Sequence, residues 1–145
     1  VKGAQRPVPG IEDISIPVDR LSDFFVTAQN IFKANRVTAT VFSHAVQGQL
    51  QIRPFIDLND EDQRVMFQNI AREIYDVVFK MRGVVAGETA FGLSRTWIAR
   101  QQLGERYAIH RRIKELFDPN NLLNPGKLIT DSPQRLTDNL RSSPS

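Results

Sequence analysis

The order in which apolar spacing changes period constrains this chain more than any other feature. Ile14, Ile16 and Val18 alternate with Asp13, Ser15 and Pro17. This two-residue period predicts a half-buried strand over 11–18 that Pro17 brings to an end. The spacing then becomes helical: Asp19 is placed to cap a helix carrying Leu21, Phe24, Phe25, Ala28, Ile31 and Phe32, with Asn35 as a left-handed stop. Strands follow over 37–46 and 49–55, joined by a tight turn at Gln47-Gly48, a weaker hairpin signal than Asn-Gly. A long helix comes next, capped by Asn59 or Asp60. Met66, Ile70, Ile74, Val77, Val78 and Met81 form its inner face, and Gly83 stops it. Val84-Val85-Ala86 is a short strand. The order β-α-β-β-α-β predicts an α+β fold, a ferredoxin-like antiparallel sheet backed by helices, with additional C-terminal helices from Ser94 to Trp97 and from Glu105 to Phe117. That fold hosts many unrelated functions, so function must be read from particular residues.

A chain of 145 residues, 41% hydrophobic and 24% charged, has material for one domain with one core. Arg6-Pro7-Val8-Pro9-Gly10 reads as an N-terminal linker over 1–10, because proline lacks a donor and restricts its neighbour. The domain then occupies 11–130, and 131–145, rich in Ser, Pro, Asn and Arg, reads as a linker or disordered tail. The absence of cysteine excludes disulfides, iron–sulfur clusters, thiolate zinc sites and cysteine nucleophiles within these residues. No apolar run approaches the roughly 18 residues of a membrane span, and the N-terminus lacks a signal-peptide core, so a soluble chain is expected. A start at Val suggests an excised fragment. The net charge of +3 is a weak footprint for nucleic acid. Arg106, Arg111, Arg112 and Lys114 share their helix with Glu105 and Glu115, the pattern of a solvated face. Phe42 stands alone where base stacking needs an aromatic pair, so no nucleic-acid partner is expected.

Gly87-Glu88-Thr89-Ala90-Phe91-Gly92-Leu93-Ser94 has the spacing of a phosphate-binding loop, but Leu93 replaces the lysine and Glu88 would repel phosphate. The hairpin is the better lead. A turn at Gln47-Gly48 would set Ser43 opposite Ile52 and Ala45 opposite Leu50 on a core face, with Phe42 opposite Arg53 and His44 opposite Gln51 on a polar face. Opposed β-carbons lie about 5 Å apart, so His44 and Gln51 can converge with Glu88 on one ion or one substrate oxygen. As a metal site the set is incomplete, since a Gln amide is a weak ligand. Spacing alone equally fits a structural, hydrogen-bonded His44, and His110 reads as a surface residue.

The same residues carry a family resemblance. The run from Phe42 to Gln51 resembles the Gly-His-x-Gly-Asp-Gly-Asn-Leu-His signature of FAD-linked oxidase C-terminal domains. Gly87-Glu88-Thr89-Ala90-Phe91-Gly92 resembles their Gly-Glu-His-Gly-x-Gly loop. Phe117-Asp118-Pro119-Asn120-Asn121-Leu122-Leu123-Asn124-Pro125-Gly126-Lys127 resembles their Phe-Asp-Pro-x-Asn-Ile-Leu-Asn-Pro-Gly-Lys ending. With Arg6-Pro7-x-Pro9, Ile11-Glu12-Asp13 and Gly92-Leu93-Ser94-Arg95-Thr96, the resemblance runs over about residues 5–129. It is nearest to flavoproteins that fuse this domain to an iron–sulfur segment.

The resemblance implies the cap of a vanillyl-alcohol-oxidase-type enzyme that oxidises a 2-hydroxy acid such as D-lactate, glycolate or D-2-hydroxyglutarate by hydride transfer to FAD. FAD would be bound mainly by an upstream domain of the same parent protein, and an iron–sulfur cluster would belong to a downstream segment. A cytoplasmic setting follows, with room for peripheral membrane attachment through an electron acceptor. In family members that hold a divalent ion, two histidines and the loop glutamate ligate it. Here His44 and Glu88 are kept, Gln51 replaces the second histidine and Thr89 replaces the histidine that usually serves as base. Gln47 and Gln49 replace the Asp and Asn of the signature. No metal ligands are therefore assigned. His44 is the expected base, with Glu88 beside it as a catalytic residue. Gln51, Arg53, Thr89 and Arg95 are the expected substrate-binding residues, Arg53 foremost because a guanidinium fits a planar carboxylate. Asn124 would face the flavin domain. The alternative is a cap that has lost catalysis and serves as a structural or interaction module.

Overall fold

The computed structural model describes residues 4–138 and 140, and the chain divides into two compact units, one up to Thr89 together with Leu140 and one from Ala90 onward. Length alone suggested one. The first unit contains β1 (Arg6–Pro7), β2 (Ile11–Ser15), α1 (Leu21–Ala34), β3 (Ala39–His44), β4 (Gln49–Ile56), α2 (Glu61–Lys80) and β5 (Val84–Val85). Its sheet is antiparallel throughout in the order β3-β4-β2-β5, and β1 pairs with the far end of β4. This is the split βαβ arrangement expected from the sequence.

One sheet face carries Ile14, Leu50, Ile52, Ile56 and Val85, all buried with Phe24, Ala28 and Phe32 of α1. From α2 the buried residues are Phe67, Ile70, Ala71, Ile74, Tyr75 and Val78. Each large apolar side chain removed from water here contributes roughly 1.5–3 kcal/mol, which is what fixes the register of the helices on the sheet. Ile70, Ile74 and Val78 were expected. Phe67, Ala71 and Tyr75 take the place of Met66, Val77 and Met81, so the buried stripe is rotated part of a turn about the helix axis.

Local details differ where backbone geometry overrides pattern. Val18–Arg20 forms a 3₁₀ turn after Pro17, and α1 then starts from Arg20 with no side-chain cap, so Asp19 does not cap it. The left-handed residue after α1 is Arg36 (φ 55°), while Asn35 donates its side-chain N–H to the Ile31 carbonyl at 2.9 Å. Asp60 caps α2 by accepting from the N–H groups of Asp62 and Gln63. Arg6 and Pro7 are not a free linker: they pair with Ile56 and Phe55, and Val8 is buried. Proline is tolerated there because the strand lies at the sheet margin. Residues 1–3 of the expected linker lie outside the described residues.

The second unit contains α3 (Thr96–Leu103) and α4 (Arg106–Phe117). α3 is longer than the expected 94–97 helix, and Arg95 rather than Ser94 stands at its N-cap. Beyond α4, Asp118 is buried and accepts from the N–H groups of Leu122 and Leu123, both at 2.8 Å, and from the Lys114 ammonium. The expected tail is tied down at its start. Asp131 pairs with Arg100 at 3.2 Å and Arg111 at 2.5 Å, and Leu136 is fully buried. Residues 139 and 141–145 of that tail lie outside the described residues.

Candidate active site

The β3–β4 connection sets the site. Gly48 adopts φ 67°, and a Cβ there would collide with the Ile16 carbonyl oxygen, so only glycine serves. A 3₁₀ turn over Ala45–Gln47 precedes it, making the connection longer than the two-residue turn expected. The register moves accordingly: His44 is opposite Gln49, Phe42 opposite Gln51 and Thr40 opposite Arg53. His44 is therefore not paired with Gln51. A shift by an even number of residues keeps every side chain on its expected face, because side chains alternate with period two. Thr40, Phe42, His44, Gln49, Gln51 and Arg53 share the face away from α1 and α2. His44 is exposed, its ring edge-on to Phe42 with centroids 5.1 Å apart.

Asp13 organises the rest of this face, and sequence reasoning missed it. Alternation pointed its side chain to solvent. Instead β2 carries a bulge between Ile11 and Ile14, Asp13 adopts φ 59°, and its carboxylate is 2% exposed. Its oxygens accept from the N–H groups of Glu88 and Thr89, both at 2.9 Å, from the Thr89 hydroxyl at 2.6 Å and from the Gln49 amide at 3.2 Å. Its carbonyl accepts from the N–H groups of Ala86 and Gly87 at 3.0 Å each, and its own N–H donates to Gln51 Oε1 at 3.1 Å. Burial alone would raise the pKa of Asp13. The hydrogen bonds from Thr89, Glu88 and Gln49 outweigh it and hold the carboxyl below the ordinary aspartate value. The one sequence signal was Asp at a position that must turn left-handed, which Asp tolerates better than most residues.

These bonds assign the sequence candidates. Thr89 donates its hydroxyl to the Asp13 carboxylate, and the Gln51 amide oxygen accepts from the Asp13 N–H. Arg53 donates through Nε to Glu12 at 2.6 Å. Glu88 is anchored by its backbone and its side chain is exposed. Among the described residues no hydrogen bond or ion pair joins His44, Arg53 and Glu88 to one another, and no group of three His, Asp or Glu side chains is disposed to hold a metal. In the second unit Arg95, expected to bind substrate, is buried and donates to the carbonyls of Ala90 at 2.7 Å and Phe91 at 3.4 Å, which makes it a clamp on its own loop. Asn124 is exposed at φ 49° and accepts from Lys127 Nζ at 3.0 Å, so it shapes its turn. A cavity of about 290 Å³ lined by Thr40, Val41, Phe42, Gln51 and Arg53 opens beside the candidates. A larger one of about 700 Å³ between α1 and β3 is lined by Phe25, Phe32, Val37 and Val41 with Lys33 and Arg36, and its lining has no His, Asp or Glu.

Residues 1–128 match the family described as FAD linked oxidases, C-terminal domain. The chain belongs to that family. Among its relatives is a D-2-hydroxyglutarate dehydrogenase of Haemophilus influenzae, 34% identical over 129 residues, which are 89% of this chain and 13% of that protein. The D-2-hydroxyglutarate dehydrogenase of Escherichia coli is 30% identical over 127 residues, 88% of this chain and 12% of its own. A mitochondrial D-lactate dehydrogenase [cytochrome] of Arabidopsis thaliana is 28% identical over 120 residues, 82% and 21% of the two chains. The chain thus spans about an eighth of the first two proteins.

As a member of the FAD-linked oxidase family the chain implies FAD, but the glycine-flanked loop does not offer the flavin nucleotide a phosphate cradle. The N–H groups that could line one, those of Ala86, Gly87, Glu88 and Thr89, are all directed at Asp13. The carbonyl and carboxylate of Asp13 already occupy the positions an anion would take, so this loop does not fit the pyrophosphate.

Proposed function

We propose that this chain is the substrate-side cap of a longer FAD-dependent dehydrogenase acting on a small 2-hydroxy acid of the D-2-hydroxyglutarate, D-lactate or glycolate class. The flavin, which takes the hydride in such enzymes, is carried by polypeptide outside these residues. The observation that supports the reading is the bonding of Asp13 to both Gln49 and the 86–89 loop, which brings the backbone of Glu88 to the sheet face bearing His44 and Arg53. Within it, the Arg53 guanidinium engages the substrate carboxylate through its Nη atoms, Nε being held by Glu12. Gln51 lines the same cavity and orients the acid. The His44 imidazole accepts the proton of the substrate hydroxyl, and Glu88 steadies the imidazolium that results. Thr89 acts through Asp13 and not on substrate.

The partner is the FAD-binding part of the same polypeptide. Ile109, Ile113, Leu116, Phe117, Leu122 and Leu123 of the second unit leave a large apolar surface exposed, beside the turn that carries Asn124. The residues matched are only 13% of the Haemophilus influenzae relative, which makes the remaining polypeptide its fitting cover. The iron–sulfur segment and an electron acceptor at a membrane belong to the same reading.

Turnover of the longer protein with D-2-hydroxyglutarate, D-lactate and glycolate, using a dye as electron acceptor, tests the assignment. Arg53→Met is expected to raise KM for the favoured acid at least about tenfold, as loss of a charged hydrogen bond to a carboxylate does. A second reading, a cap without catalysis, is favoured by the commitment of Thr89 and Gln51 to Asp13. Absence of turnover with every 2-hydroxy acid by a flavin-loaded protein would select it.

A further inference from the structure

We propose that Asp13 is the positioning residue for Glu88, fixing the loop backbone from 86 to 89 so that the Glu88 carboxylate stands over the His44 face; the inference rests on the function proposed above. Four loop N–H groups and one loop hydroxyl converge on this single residue: Ala86 and Gly87 on its carbonyl, Glu88, Thr89 and the Thr89 hydroxyl on its carboxylate. No β-ladder holds the loop once β5 ends at Val85. Asp13 takes over at the next residue.

The sheet in turn holds Asp13. Gln51 accepts its N–H and Gln49 donates to Oδ1, so a residue on each side of Leu50 grips it from β4. Gln49 shows which partner dictates the arrangement. Its Oε1 is buried with no hydrogen-bond partner. Flipping the amide would turn that oxygen toward Asp13 Oδ1 and set two acceptors against each other. The carboxylate therefore fixes the amide orientation, even though an acceptor is left unsatisfied. Gly87 completes the fit, since a Cβ there would approach Ser15 Cβ to 3.1 Å. The path runs from the β3–β4 hairpin through Gln49 and Asp13 to Glu88, and each step is a hydrogen bond or a strand pairing.

Asp13→Asn is the informative substitution, because Asn tolerates the left-handed backbone as Asp does and replaces one accepting oxygen with an NH2 donor. In the longer, flavin-loaded protein assayed with D-2-hydroxyglutarate and a dye acceptor, D13N is expected to lower kcat about tenfold or more with KM within about twofold. Glu88→Gln should do the same. The double variant should be no slower than E88Q alone, because Asp13 acts only through Glu88. Hydrogen exchange by mass spectrometry gives a readout without turnover: the peptide spanning residues 84–93 should speed up in D13N by a factor at least about tenfold greater than any change in peptides from α2, whose rates follow global stability. Additive losses in the double variant, or unchanged exchange over 84–93, would overturn the inference. Normal kcat in E88Q would remove Glu88 from the chemistry and overturn the site reading instead, with the exchange result still reporting whether Asp13 holds the loop.

Discussion

Asp13 in the first unit and Asp118 in the second each bind two consecutive backbone N–H groups, those of Glu88 and Thr89 in one case and of Leu122 and Leu123 in the other. Their surroundings differ. Asp118 reaches residues four and five positions along the chain and has the Lys114 ammonium beside it. Asp13 reaches across 75 and 76 positions, to the N–H groups of Glu88 and Thr89, with the Thr89 hydroxyl and the Gln49 amide on the same carboxylate. A local latch shapes its own turn whatever the rest of the molecule does. The long-range latch exists only when β2, β4 and the loop are all in place, so it ties the loop carrying Glu88 to the integrity of the sheet. One device thus presents an apolar turn and the other an acidic loop.

The comparison can be broken in several ways. Asp13→Asn is expected to have the largest effect, lowering unfolding stability by about 1–3 kcal/mol in urea titration, because buried donors lose their acceptor. Asp118→Asn should act less on global stability and mainly speed amide exchange at Leu122 and Leu123. Equal global losses from the two would show that sequence separation does not matter.

Acid titration sharpens the contrast. Hydrogen bonds hold the pKa of Asp13 below the ordinary value against the opposing effect of burial, and the Lys114 ammonium is the leading cause of the lowering at Asp118. A carboxylate whose folded pKa is depressed stabilises the fold fully above its unfolded pKa of about 3.9, and that stabilisation is lost as pH falls through the lower folded value. Stability should therefore be level through neutral pH and fall below about pH 4, with a shallower acid limb in D13N. A smaller effect separates the two latches by salt. One molar NaCl should speed exchange at Leu122 and Leu123, where an ion pair is screened, and leave Glu88 and Thr89 unchanged. The smallest change expected is Thr89→Val, which removes one of several donors to Asp13 and should cost about 0.5–1.5 kcal/mol.

The same contrast explains what the sequence made legible. The strand order, the helices and Gly48 follow from spacing and turn chemistry that act over a few residues. The face on which His44, Gln51 and Arg53 lie was also legible, since alternation survives a two-residue shift of register. Which residues oppose them was not, because the register depends on whether the chain makes a two-residue turn or the longer Ala45–Gln47 turn, and Gln-Gly signals neither strongly. Asp13 was invisible for a related reason. A bulge breaks alternation at that one residue, and its partners lie at the other end of the unit. The bonds of Arg95 to its own loop were not legible because its acceptors are carbonyls, which have no sequence signature. The resemblance to the FAD-linked oxidase family was carried by three motifs that keep their order, and the family match over 1–128 bears it out.

The proposed chemistry depends on the His44 imidazole. Steady-state kinetics of His44→Ala in the longer, flavin-loaded protein, with the 2-hydroxy acid the wild type turns over fastest, is the most direct measurement. Loss of a proton acceptor predicts a fall in kcat of about a hundredfold or more, with the flavin spectrum and melting temperature unchanged. A kcat within about twofold of wild type would contradict the proposal that His44 and its sheet face carry the chemistry.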